Sequence, residues 1–231
     1  MPQGAEDDLD QLIRRVDPDR WLTSRFIADE GVRADVLALY AFDHELARAS
    51  RVASTQLLAE IRLTWWREAL DEIFAGGPVR RHPVAEALGS LARRHGLSRE
   101  PLEAMIDGQI AELGIEFDAA ASLAWADAVE GSLAHAAAFV LDPVSSDRAN
   151  LAGRAWGLAL LLRSGRAPEG VLRPLLASAL TEVRAVAASL SVAALPAALP
   201  ARLARFDLAG RSPGLLRKQF SLIVATATGR V

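Results

Sequence analysis

The sequence predicts an all-α protein, a single helical bundle over residues 1–231, and three observations carry that expectation. Apolar residues recur at helical spacing along nearly the whole chain. Ala, Leu, Arg and Glu dominate, and these residues lose little conformational freedom in a helix. Alternating β-branched runs of the kind that form strands are missing, and no repeat of ~30 to 45 residues points to a helical solenoid.

Each element follows from local signals. A short helix is expected near Asp8 to Val16, and a long one from about Arg33 to Val52 after a break at Gly31. A third runs from about Ser54 to Phe74 and stops at Gly76-Gly77-Pro78, since glycine favours leaving the helix and proline cannot continue it. Pro83 suits the first turn of the next helix, which runs to His95 and ends at Gly96. Ser98 is the expected cap of SREPLEAMIDGQIAEL, whose Leu102, Met105, Ile106, Ile110 and Leu113 form a buried stripe. Further helices are expected at about Leu123 to Val140, Ser146 to Arg163, Pro168 to Leu195, Pro200 to Phe206 and Leu215 to Ala225. Pro196 and Pro200 are expected to bracket a bend.

Bulk properties exclude several functions. At 231 residues, 51% hydrophobic and 24% charged, the chain can bury a sizeable core, and a net charge of -3 offers no basic field for nucleic acid. With no cysteine, disulfides, thiolate nucleophiles and sulfur-ligated metals are excluded. The start MPQGAEDDLDQL is acidic where a secretory signal would be basic and then apolar, so a cytoplasmic location is expected. Ser132 to Leu141 and Leu151 to Leu162, the most apolar stretches, fall short of the ~18 to 20 residues that a spanning helix needs. Hydrolase and nucleotide-binding motifs do not occur.

Five segments carry a resemblance: DRWLTSRFI (Asp19 to Ile27), RADVLALYAFDHELA (Arg33 to Ala47), EIRLTWWREALDEIF (Glu60 to Phe74), HPVAEAL (His82 to Leu88) and GLSREPLEAMIDGQIAEL (Gly96 to Leu113). In this order and spacing they resemble the squalene/phytoene synthase family, all-α enzymes that join two prenyl diphosphates. The resemblance implies the isoprenoid synthase fold. Such an enzyme needs Mg²⁺ held between diphosphate oxygens and protein carboxylates, and Asp pairs at i and i+4 on two facing helices supply them. Family aspartates of the first pair match Ala47 or Arg48 and Arg51 here; those of the second follow the match to Arg163, where this chain has Ser164 and Pro168 with Glu169 alone nearby. Arg48 and Arg51 would repel a metal. The resemblance thus implies no catalytic residue, no metal ligand and no cofactor, with magnesium relevant only to the alternative of a prenyltransferase condensing farnesyl- or geranylgeranyl-type diphosphates.

Within the family, YAFDHELA together with EIRLTWWREALDEIF and HPVAEAL is similar to the branch represented by the mitochondrial assembly factor for respiratory complex I. That branch is regarded as keeping the synthase fold without the synthase residues. It implies a non-catalytic role in building the membrane-associated NADH dehydrogenase, with a complex I subunit as protein partner and a place on the inner membrane surface.

A third reading is a binder of an isoprenoid or lipid ligand. Arg48, Arg51, Arg62 and Arg67 are the candidates for gripping a diphosphate or headgroup without a metal, and Tyr40, Phe42 and Trp65 are the candidate cavity-lining residues. The plainer reading pairs these arginines with Asp43, Glu45, Glu60 or Glu68 in a closed-over cavity. Acidic pairs at Glu68/Glu72, Glu103/Asp107 and Glu112/Glu116 read as solvated helix faces, and His44 as an exposed helical residue. Trp65 and Trp66 point roughly 100° apart, so one is expected in the core and one at a contact surface. At the C-terminal end, Arg217 and Lys218 ahead of Phe220 to Ala225 read as a final bundle helix or a peripheral membrane contact.

Overall fold

Side-chain caps set where the N-terminal helices begin. The computed structural model describes residues 3–231, with side chains from residue 8 onward; among the described residues it contains twelve α-helices and no strand. After α1 (Gln3–Val16), Asp17 accepts from the Arg20 amide at 2.9 Å and Pro18 fills the first turn, giving the short α2 (Pro18–Ser24). The periodicity of seven residues is too brief to reveal this helix, although its Asp-Pro start is a readable signal. Asp29 then caps α3 (Glu30–Val52) through the Val32 amide at 2.9 Å. Gly31 therefore lies inside the first turn and breaks nothing.

Next come α4 (Gln56–Phe74), capped by Thr55, α5 (Pro83–His95) and α6 (Glu100–Ala111). Ser98 does not cap α6; Arg99 flanks it without a side-chain bond. The expected helix from Leu123 is three pieces: α7 (Ala119–Trp125), a π-helical turn over Ala126–Gly131, and α8 (Ser132–Leu141). Following α9 (Ser146–Ser164) and α10 (Glu169–Ala187), the chain turns and α11 (Leu195–Leu208) starts. Pro196 and Pro200 both lie within α11, so the bend precedes them. Pro196 sits in the first turn, where no amide donor is needed. The last helix is α12 (Leu215–Thr228).

Two hydrophobic clusters organise these helices. One is built mainly from α1, α3 to α6 and α8, around Leu39, Phe42, Leu46, Leu63, Leu88 and Met105. The other joins α7, the π turn and α9 to α12 around Trp156, Leu158, Leu161, Leu176 and Leu199. Each fully buried Leu or Phe contributes roughly 1.5–3 kcal/mol, whereas an exposed ion pair contributes at most about 1 kcal/mol. Consequently Leu39, Phe42 and Leu46 hold α3 in place, and its arginines are free to differ.

Packed by α8, the π turn, α10 and α11, α9 is the central helix. Small residues make this possible. A Cβ at Gly153 would collide with the Glu130 carbonyl oxygen, and one at Gly157 would stand 2.9 Å from the Glu130 Cγ. The two glycines let the π turn press against α9 and aim Glu130 inward.

Candidate functional site

A cavity of about 730 Å³ lies between the walls formed by α3 and α6 and those formed by α9 and the π turn. Ala47, Ser50 and Arg51 of α3 border it, as do Leu160, Leu161, Arg163 and Ser164 of α9. Both helices end there. Arginine in a final turn complements the partial negative charge of a helix C-terminus, which accounts physically for Arg51 and Arg163 at these places. Gly165, at φ 64°, then turns the chain out of α9. The expectation of a closed-over cavity is corrected, because the cavity is open and its walls are charged.

Arg20 occupies the cavity floor and is 3% exposed. Its guanidinium donates to Asp43 at 2.8 Å, to Asp17 at 3.3 Å and to Glu130, and it lies 5.3 Å from the Tyr40 ring centre. Three carboxylates around one guanidinium are an excess of negative charge in a poor dielectric. Burial pushes the Glu130 carboxyl up to about 8, against the opposing pull of Arg20. Burial raises Asp17 as well, and lifts the Tyr40 phenol to about 12. On Arg20 burial acts in the other direction, but Glu130, Asp43 and Asp17 outweigh it and hold the guanidinium charged.

Nearer the mouth, Asp19 joins two elements. It accepts from Lys218 of α12 at 2.6 Å and from Arg163 of α9 at 3.3 Å, while Arg163 also meets Asp207 at 3.1 Å and lies 4.3 Å over the Trp156 ring. Burial raises Asp207 above the usual carboxylate range. On the other side Arg166 pairs with Glu112 at 2.8 Å and stacks 4.7 Å from Phe117. Glu112 is also raised by burial, so it is no solvated face residue. Among the described residues, four wall atoms are buried without a hydrogen-bond partner: Trp156 Nε1, Trp125 Nε1, Ser50 Oγ and Glu112 Oε2, the last meeting Arg166 only as an ion pair.

Five carboxylates (Asp17, Asp19, Asp43, Glu112 and Glu130) thus line the cavity beside Arg20, Arg51, Arg163, Arg166 and Lys218. Every one of those carboxylates meets a guanidinium or ammonium of the chain itself. Among the described residues no group of three or more His, Asp or Glu side chains is placed to hold a metal ion. Magnesium requires near-octahedral oxygen donors, and these committed carboxylates do not fit it.

The arginines singled out from sequence do not form one grip. Arg51 and Tyr40 border the cavity, but Arg48, Arg62 and Trp65 line a separate groove of about 410 Å³ between α3 and α4, with Trp66 and His82. Among the described residues Arg48 pairs only with its neighbour Glu45, at 3.4 Å. Arg67 lies elsewhere, paired with Asp107 of α6, and Phe42 is fully buried, edge-on to Trp66 at 5.3 Å. Trp66 is in the core, while Trp65 is half-buried with Arg80 stacked 4.5 Å away. His44 is half-buried and borders the cavity, its pKa lowered by burial.

Arg20 and Glu130 carry no signal in the sequence, and Asp43, expected to pair with the arginines of α3 and α4, pairs instead with Arg20. A signal existed for one of them: Asp43 interrupts the stripe Leu39, Phe42, Leu46, and an acid on a buried face calls for a buried partner.

Residues 13–167 match the family model described as squalene/phytoene synthase. The chain is 32% identical over 97 residues to the bovine (Bos taurus) NADH dehydrogenase (ubiquinone) complex I, assembly factor 6, covering 42% of this chain and 28% of that protein. To the protein of the same name from Rattus norvegicus it is 29% identical over 161 residues, 67% of this chain and 47% of the relative. The matched stretch spans less than half the length of these curated relatives. In three dimensions the fold matches a dehydrosqualene synthase with TM-score 0.80 at 15% identity, over 97% of this chain and 96% of the other. A squalene synthase from Alicyclobacillus acidocaldarius matches with TM-score 0.68 at 14% identity, over 98% and 94%.

Proposed function

The chain belongs to the squalene/phytoene synthase family, and on that premise we propose that it is a non-catalytic member acting in the assembly of respiratory complex I, by contact with a subunit of that enzyme. The observation that carries the non-catalytic part is the state of the cavity carboxylates. Prenyl transfer of the family type needs carboxylate oxygens turned toward magnesium and a diphosphate. Here Asp19, Asp43, Glu112 and Glu130 are held by Lys218, Arg20 and Arg166, and Ala47, Arg51 and Ser164 occupy the facing walls. Freeing those acids would leave the buried Arg20 uncompensated, which is costly. The assembly part is supported by the curated relatives, both named as complex I assembly factors.

The test has two arms. Deleting the gene should lower the amount of assembled NADH dehydrogenase on a native gel; a normal amount overturns the assembly role. Incubation with farnesyl or geranylgeranyl diphosphate and Mg²⁺ should yield no condensed hydrocarbon. A product that disappears when a chelator is added overturns the non-catalytic reading and restores the prenyltransferase alternative.

A second reading is favoured by the unpartnered Trp156 and Ser50 in the wall and by the leucines beside them. The cavity then holds an isoprenoid or lipid ligand, its polar end toward Arg51 and Arg166 at the mouth, as a structural or sensing partner to the assembly role.

A further inference from the structure

Large exposed apolar side chains fall mainly in two groups, one along α12 and one where α3 passes into α4. On α12, Leu216, Phe220 and Ile223 follow one face of a single helix and form a ridge. The other group differs in shape, because it edges the 410 Å³ groove: Val52, 59% exposed, and Ile61, 55% exposed, both line it.

Helical spacing builds the groove. Glu45, Arg48, Ala49 and Val52 stand at i, i+3, i+4 and i+7 on α3 and so share one face. Ile61, Arg62, Trp65 and Trp66 share one face of α4 in the same way. The two helices leave a trough with a buried floor of Ala49 and Trp66 and one guanidinium from each helix, Arg48 and Arg62, both exposed. Such a trough is shaped to receive the ridge of a third helix. Among the described residues Arg62 joins no ion pair, and the one contact of Arg48 is Glu45, at 3.4 Å, so both keep donors for the carboxylates of a visitor. Trp65, half-buried and stacked on Arg80, adds the residue type that most often anchors a protein contact.

We propose that the α3–α4 groove receives an acidic amphipathic helix of another protein, its apolar face seated on Val52, Ile61 and Trp65 and its carboxylates meeting Arg48 and Arg62. Charge complementarity selects this occupant. The α12 ridge of a second copy has a suitable apolar face, but it would bring Arg217 and Lys218 against Arg48 and Arg62, and like charges brought together at a contact are costly. That the partner is a complex I subunit rests on the assembly reading; the preference of the groove for an acidic helix does not.

The full chain with the photocrosslinker p-benzoylphenylalanine in place of the exposed Ile61 tests it in living cells, the adduct being mapped by mass spectrometry. The crosslinked segment should carry apolar residues at helical spacing flanked by Asp or Glu. Arg48→Glu with Arg62→Glu should lower the adduct yield about tenfold or more, with an unchanged circular dichroism spectrum; if that pair does not fold, Arg62→Gln alone should lower it about threefold. A synthetic peptide of the crosslinked segment should bind the native chain more weakly as salt rises, and changing its acids to lysine should restore binding to the charge-reversed chain. No adduct, or an adduct on lipid, on a second copy of this chain or on a basic segment, overturns the proposal, as does a yield that ignores the arginine substitutions. An acidic helix from a protein outside complex I supports the groove assignment and counts against the assembly reading instead.

Discussion

Glu130 is a buried acid, 3% exposed, whose pKa is raised by its surroundings. Its carboxyl titrates near 4.5 in the unfolded chain and at about 8 when folded, because burial outweighs the attraction of Arg20. Below about pH 4.5 both states hold the proton, and between about 4.5 and 8 only the folded state does, so this contribution to stability falls as pH rises through that window. Glu130→Gln cannot ionise and should escape the loss. In urea denaturation the stability difference between variant and native protein should shift in the variant's favour by at least about 1 kcal/mol between pH ~5 and ~8. A difference that stays constant with pH would contradict the assignment. At this scale the sequence was only partly legible. Arg51 and Tyr40 could be named because they sit on a helix whose frame is recognisable, but the partners of Arg20 come from positions 17, 43 and 130. The Asp17 pairing is local, but those to 43 and 130 are long-range and show in local periodicity only as the acid that interrupts the α3 stripe.

Elements were read more securely than side-chain partners, and their errors have identifiable causes. Proline reads as a boundary at Pro196 and Pro200, yet both are accommodated inside α11. The π turn is silent in the sequence because one extra residue in a helical turn barely disturbs the apolar pattern. That turn depends on α9 presenting glycine. Gly153→Ala should therefore lower stability by about 3 kcal/mol, the upper end of overpacking costs, since the added methyl meets backbone rather than a flexible side-chain tip. Gly170→Ala, where a Cβ would meet nothing within 4 Å, is the control on α10. Equal chemical denaturation midpoints for the two variants would show that the close approach of α9 and the π turn is not needed.

Across the whole molecule, the resemblance lay in the N-terminal half, while much of the second hydrophobic cluster is supplied by Leu172, Leu176, Leu180, Leu199, Leu203 and Leu222 beyond the matched residues. These residues alternate with Ala and Arg in a generic helical pattern, so the sequence revealed helices there and little about what they cover. They cover α9. A chain ending at Ala167 would leave that helix exposed on the sides that α10 and α11 pack, and it should lose the cooperative thermal transition seen by circular dichroism. A sharp melt in the shortened chain would mean that the first cluster suffices.

Attached mainly along α11, α12 buries only Leu222 and Ala225 of its own residues. Its other tie near the cavity is the Lys218 contact to Asp19. So little burial makes its detachment one of the least expensive openings of the native state, well below global unfolding. When it detaches, Lys218 leaves and Asp19 keeps only Arg163 and its excess negative charge. The cavity entrance therefore has two electrostatic characters, balanced while α12 is seated and more anionic when it is away, and a charged visitor meets a doorway whose polarity depends on when it arrives.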